Sequence, residues 1–215
     1  MGKLAVEALR GISLDISAGD FVSVAGPSGS GKTTMMNIIG LIDTPTGGTL
    51  KVDGREAASL NRRELARMRR EYIGFVFQSF NLLPVLTVFE NVELPLTIGK
   101  KKSGRKENRE RVEYLLKEVG LEDRHHHKPT ELSGGQQQRV AIARALVTQP
   151  RIVIADEPTA NLDSANGERV LELMKSINRE EGTTFIFSTH DPDIWKLANH
   201  VIFLRDGLIE MEQRR

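Results

Sequence analysis

The sequence predicts an α/β fold in a single domain, and three observations carry that prediction. A glycine-rich loop, Gly26-Pro27-Ser28-Gly29-Ser30-Gly31-Lys32-Thr33, joins a short apolar run to a segment of helical period. Short apolar, β-prone runs then alternate with amphipathic helical stripes along the chain. Strand signals stop between about residues 82 and 146, so a mostly helical insertion divides an α/β core spanning about 1–81 and 147–215.

The elements follow in order. Leu9 to Ile16 reads as a strand region, and Phe21 to Ala25 as a buried strand. Met35, Ile38, Ile39 and Ile42 fall at i, i+3, i+4 and i+7, which is one face of a helix. Thr49 to Val52 is a strand closed by the tight-turn pair Asp53-Gly54. Asn61 to Arg70 reads as a polar, basic helix, and Tyr72 to Phe77 as a strand that delivers Gln78. Pro84 and Pro95 bracket a mixed stretch, and Lys100 to Arg105 reads as an exposed basic loop. Val112, Leu115, Leu116 and Val119 restore a helical stripe, with Gly120 where a helix C-terminus favours it. Ile152 to Ala155 is an apolar strand, followed by a helix with Val170, Leu173, Met174 and Ile177 in register and stopped near Gly182. Thr184 to Thr189 is a further strand, and Val201 to Leu204 turns at Asp206-Gly207 into Leu208-Ile209, a hairpin.

Composition bounds the function. Thirty basic and 29 acidic residues give 215 residues a net charge of +1, with no overall pull toward nucleic acid or an anionic membrane. Cysteine is absent, which excludes a disulfide framework and thiol chemistry. No apolar run approaches the length of a membrane span, so membrane association is expected through a partner.

The glycine loop fits G-x-x-x-x-G-K-[ST] between a strand and a helix, where backbone N–H groups converge on phosphate. Lys32 is placed to reach the β- and γ-phosphates, and the Thr33 hydroxyl to ligate Mg²⁺. Asp156-Glu157 ends a buried strand: the first acid suits Mg²⁺, usually through water, and the second can orient or deprotonate an attacking water. Leu132-Ser133-Gly134-Gly135-Gln136 opens another helix and makes a second N-terminal anion site. Two such sites in one chain are most economically explained by one nucleotide meeting both, from two copies.

These motifs resemble those of ATP-binding cassette (ABC) transporter ATPases: Gly26 to Thr33 as Walker A, Leu132 to Gln136 as the signature, and Ile152 to Glu157 as Walker B. They occur in the family's order over nearly the whole chain. The resemblance implies a P-loop NTPase (RecA-like) core with antiparallel β elements and a helical signature subdomain. It implies ATP and Mg²⁺ as cofactors, with nucleotide contacts at Gly26, Pro27, Ser28, Gly29, Ser30, Gly31, Lys32, Thr33 and Thr34. On the second copy the contacts are Ser133, Gly134, Gly135 and Gln136, with Asp163 from the D-loop Ala160-Asn161-Leu162-Asp163. Gln78 matches the Q-loop glutamine, a Mg²⁺ and γ-phosphate sensor that couples to a membrane subunit, and His190 the switch histidine. Metal contacts are implied at Thr33, Gln78 and Asp156, and catalytic roles at Glu157, His190, Lys32 and Gln78. The implied partners are a second copy, head to tail, and an integral membrane subunit, which puts the chain on the cytoplasmic membrane face.

Gly74-Phe75-Val76-Phe77-Gln78, Asn81-Leu82-Leu83-Pro84 and Glu90-Asn91-Val92 resemble the macrolide-export and lipoprotein-release branch, whose FtsX-like partners transmit force across the membrane. A cell-division ATPase that regulates a cell-wall hydrolase shares these features. The chromosome-maintenance ATPases carry a long coiled coil between Walker A and the signature, which the short insertion here excludes. One departure stands out: no Tyr, Trp or Phe precedes Phe21, where the family usually stacks an aromatic on adenine. Weakened ATP affinity, or a true start upstream, is expected from this, and a sheet edge is left in question. His125-His126-His127 and Lys100-Lys101-Lys102 read as solvated segments, the Arg62 to Arg70 cluster as a solvated face rather than a nucleic-acid site, and Trp195 as a packing residue.

Overall fold

The computed structural model describes residues 7–98, 104–190 and 192–215. Its frame is a sheet whose strands, apart from the exposed C-terminal one, bury residues on both faces. The members are β1 (Phe21–Ala25), β4 (Ile73–Val76), β5 (Ile152–Ala155), β6 (Thr184–Thr189), β7 (His200–Arg205) and β8 (Leu208–Arg214), in the order β4-β5-β6-β1-β7-β8. All pairings are parallel except β7 with β8, a hairpin turning at Asp206 (φ 48°) and Gly207 (φ 78°). Two successive left-handed residues form a turn whose twist suits a two-residue hairpin.

Strand alternation sorts side chains into two cores. Phe21, Val153, Phe185, Phe187 and Val201 face one core, with α4 (Arg105–Glu118), α5 (Gly134–Leu146) and α6 (Ser164–Glu181) over them. Val22, Val24, Ile154, Ile186, Ile202 and Leu204 face the other, beneath α1 (Lys32–Ile39) and α2 (Arg62–Tyr72). The Phe21 ring lies tilted against Phe187 at 5.0 Å and Phe185 at 5.8 Å. Burying each of these rings stabilises the fold by about 1.5–3 kcal/mol.

Parallel pairing carries the functional consequence. The C-terminal ends of β1, β4, β5 and β6 lie along one edge of the sheet, which is where ligands bind in such folds. Those ends lead into the glycine loop, Gln78, Asp156-Glu157 and His190.

Between β4 and β5 the described residues contain the helices α3 (Val88–Ile98), α4 and α5 and no strand. Pro95 lies inside α3 rather than bounding it. Buried Asn91 in that helix accepts from the Leu83 N–H and donates to the carbonyls of Leu83, Leu86 and Thr87, fixing the loop before α3. The histidine run is not a solvated linker. The His125 and His127 carbonyls accept from the Phe89 and Val88 N–H groups, satisfying two orphan donors of the α3 N-terminus, and the His125 ring stacks on Phe89 at 6.2 Å.

Other expectations are corrected. Among the described residues Leu9 to Ile16 pairs with no strand; Ile12, Leu14 and Ile16 pack inward in alternation, with Leu9 beside them, against the second core. The strand expected over Thr49 to Val52 is only β2 (Lys51–Val52), in a two-residue hairpin with β3 (Arg55–Glu56). Tyr72 ends α2, because the Asn61 capping box starts a helix long enough to run through it. The basic loop before Arg105 lies largely outside the described residues, and Arg105 itself opens α4. Short α7 (Pro192–Trp195) brings Trp195 partly buried against the first core.

Candidate nucleotide site

The glycine loop is shaped by backbone that leaves no room for side chains. A Cβ on Gly26 (φ 141°) would lie 2.1 Å from the Leu204 carbonyl oxygen. One on Gly31 (φ 103°) would lie 2.5 Å from the Ala8 carbonyl oxygen. Only glycine takes both the left-handed conformation and the close approach. Gly31 is the N-cap of α1 and supplies no side-chain cap, so the first-turn N–H groups stay available to an anion. Pro27, Ser28 and Gly29 are exposed at the loop tip, and buried Ser30 holds a hydroxyl with no partner. Thr33 is exposed and Thr34 half-buried in the first turn. Lys32 is 7% exposed and donates from Nζ to the carbonyls of Gly26 (2.8 Å) and Pro27 (2.9 Å), which holds its ammonium inside the curve of the loop.

At the neighbouring strand ends, Ser188 acts as a junction that the sequence reading missed. Its hydroxyl donates to Asp156 Oδ1 at 2.6 Å and accepts from the Glu157 N–H at 2.8 Å. The Asp156 N–H donates to the Val76 carbonyl. Glu157 (φ 44°) takes a left-handed conformation that costs a non-glycine residue about 1–3 kcal/mol and is held by these bonds. His190 Nδ1 lies 3.3 Å from Glu157 Oε1. Ser188 was legible in one respect: it is a polar residue in a fully buried strand, directly after the apolar Phe185-Ile186-Phe187 run, which points to a partner.

The signature turn is built differently. Ser133 caps α5: its Oγ accepts from the Gln136 N–H, and Gln136 Oε1 accepts from the Ser133 N–H at 2.9 Å, a capping box. A Cβ on Gly134 would lie 3.5 Å from the Asn161 carbonyl oxygen, and one on Gly135 3.2 Å from the Asn166 side chain. Asp163 caps α6 through the Asn166 N–H at 3.0 Å, and that bond is the chief cause of its pKa falling below the ordinary aspartate value.

The structure therefore brings together the glycine loop, Asp156, Glu157 and His190 along one edge. It sets Ser133, Gly134, Gly135 and Asp163 among the Asn161 to Asn166 residues instead. Gln78 is exposed, with its carbonyl held by Asn161 Nδ2 at 2.8 Å. The donor chemistry fits Mg²⁺, since a carboxylate oriented by Ser188 and an exposed Thr33 hydroxyl are hard oxygen ligands. Among the described residues no helix is long and apolar enough to cross a membrane.

A strand–glycine loop–helix unit beside acids at the end of a parallel strand defines a P-loop nucleotide hydrolase. The comparisons narrow the class. The ABC transporter family matches residues 9–160. An uncharacterized ABC transporter ATP-binding protein of Methanocaldococcus jannaschii, MJ0796, is 49% identical over 216 residues, covering all of this chain and 92% of that one. The macrolide export ATP-binding/permease protein MacB of Bdellovibrio bacteriovorus is 49% identical over 214 residues, and this chain spans 32% of its length. A solved dimeric, post-hydrolysis structure of MJ0796 with ADP and Pi superposes with a TM-score of 0.90 at 48% identity, over 100% of this chain and 93% of that one. The chain belongs to the ABC transporter family, as the ATP-hydrolysing, nucleotide-binding subunit of a transporter complex.

Proposed function

We propose that two copies pair head to tail around two ATP molecules, and that closing and reopening of this pair drives an integral membrane subunit at the cytoplasmic face. One observation supports the reading: within a chain the signature turn packs on Asn161 and Asn166 while the glycine loop packs on Ala8 and Leu204, so the two have different neighbours. The dimeric MJ0796 structures support it.

In this scheme the Gly26 to Thr34 backbone, through every N–H but the one Pro27 lacks, cradles the phosphates, and Lys32 turns from the Gly26 and Pro27 carbonyls to the β- and γ-phosphates. Thr33, Gln78 and Asp156 would hold Mg²⁺, and the ion would supply charge neutralisation at the phosphates. Glu157 accepts a proton from the attacking water, or orients it, and His190, held beside Glu157, contacts the γ-phosphate. Ser133 to Gln136 and Asp163 of the second copy close over the same nucleotide. The 82–146 segment acts as the helical subdomain that carries the signature. The macrolide export relatives support the export branch of the family.

Glu157→Gln removes the base and leaves the phosphate contacts. It is expected to shift from monomer to dimer in size-exclusion chromatography when ATP and Mg²⁺ are added. A variant that binds ATP at millimolar concentration and stays monomeric would overturn the paired-site scheme.

A further inference from the structure

The loop that follows β4 holds a conformation its own residues disfavour. Phe80 (φ 60°) and Asn81 (φ 49°) are consecutive non-glycine residues in the left-handed region, where Cβ crowds the following carbonyl. Such a kink persists only where its surroundings over-determine it.

Two side chains hold it, Arg144 of α5 and Asn161 of the segment after Glu157. Arg144 of α5 donates Nη2 to the Phe80 carbonyl at 2.7 Å and Nη1 to the Asn81 carbonyl at 2.5 Å, so one planar fork grips both kinked residues. Among the described residues no carboxylate pairs with this guanidinium, and burial lowers its pKa, so its charge is spent on the two carbonyls. At the other end of α5, the position where Gly134 would carry a Cβ lies 3.9 Å from the Phe80 ring. The loop thus lies along α5 from the signature turn to Arg144. The second side chain is Asn161, whose Nδ2 donates to the Gln78 carbonyl.

We propose that Arg144 and Asn161 are positioning residues that latch the Gln78–Asn81 backbone to the signature helix and to the segment after Glu157, and so set where Gln78 stands. The consequence is mechanical. A displacement of the signature turn, produced when a second copy's nucleotide engages Ser133, moves Arg144 on the same rigid helix and carries the Gln78 loop with it. Engagement at one nucleotide is thereby reported to the Gln78 of the other. This inference rests on the proposed roles of Gln78 and the signature.

The test has two arms. Hydrogen exchange of the full chain reads the latch itself, whatever the turnover. Arg144→Met is expected to speed exchange at the Phe80 and Asn81 amides at least tenfold, while the β1 and β6 amides keep their protection. Asn161→Ala, on an exposed side chain, repeats the test at the Gln78 end should Arg144→Met fail to fold. Unchanged loop exchange in both variants would overturn the latch.

The second arm is a double-variant cycle on ATPase rates. Each single variant is expected to lower kcat about 10-fold, as loss of an outer partner of a metal contact does, with KM for ATP little moved. In a Gln78→Ala background the same substitutions should add almost nothing, because they act through Gln78. A full additional loss there would assign Arg144 and Asn161 some other role and overturn the inference. Failure of the parent reading looks different: Gln78→Ala would then turn over like the unaltered chain even as the exchange arm reports a latch.

Discussion

The glycine loop and the signature turn both present a glycine-bearing helix N-terminus, and they are made in opposite ways. Gly31 leaves the start of α1 without a side-chain cap, and the loop's shape comes from distant backbone, the Leu204 and Ala8 carbonyls. The α5 start is capped by its own Ser133 and Gln136, and exposed Ser133 faces away from the core. The first turn is assembled by long-range packing, and the second is specified within four residues and stays exposed. In the proposed pairing this asymmetry is useful, because the half that would meet a second copy must keep its shape at the surface.

Breaking the first half is expected to have the largest effect. Lys32→Ala removes the ammonium aimed into the loop and should lower kcat by about 100-fold or more. Chain folding should be retained, because Lys32 bonds only loop carbonyls. Wild-type ATPase rates in that variant would break the assignment of the loop as the catalytic half.

A middling effect is expected at Ser188. Ser188→Ala leaves the Glu157 N–H and one Asp156 oxygen without their partner, at a cost of about 1–3 kcal/mol. Thermal unfolding should fall by roughly 2–4 °C per kcal/mol. Turnover should fall more than ATP binding, since the acids are moved and the phosphate loop is not. Equal losses in binding and turnover would show that the two strand ends do not act separately.

The smallest stability change is expected at the signature. Ser133→Ala removes a cap worth about 1 kcal/mol. Nucleotide binding by the isolated chain should be untouched, while ATP-driven dimerisation of the Glu157→Gln background should weaken. Loss of monomer ATP affinity instead would place the signature turn beside its own chain's loop and collapse the comparison.

Particular residues show how much of this was legible in the sequence. The Gly26 to Thr33 loop, the Asp156-Glu157 strand end and the Ser133 cap are local patterns, and each appears where its pattern put it. The same holds for Gly182, left-handed at the α6 C-terminus. For Leu9 to Ile16 apolar alternation reported burial rather than pairing: Ile12, Leu14 and Ile16 do face the core, but among the described residues no strand lies alongside to form a ladder. The histidine run misled likewise, since carbonyls that cap α3 carry no residue-type signature. Ser188, Arg144 and Asn161 act through contacts to residues more than 30 positions away in sequence, which no spacing rule reports.

The sequence by itself determined the chemistry on offer: a phosphate-binding loop, two acids, a histidine and two helix starts, each written in a few consecutive residues. Tertiary structure alone decided their arrangement. Parallel pairing of β1, β4, β5 and β6 put four strand ends on one edge, and packing of α5 against the Phe80 loop and Asn161 set the signature turn beside the segment after Glu157. The reason is physical: local preference fixes backbone conformation within a few residues, whereas the meeting of distant strand ends is fixed only by the hydrogen-bonded sheet and by the apolar surface buried on both its faces.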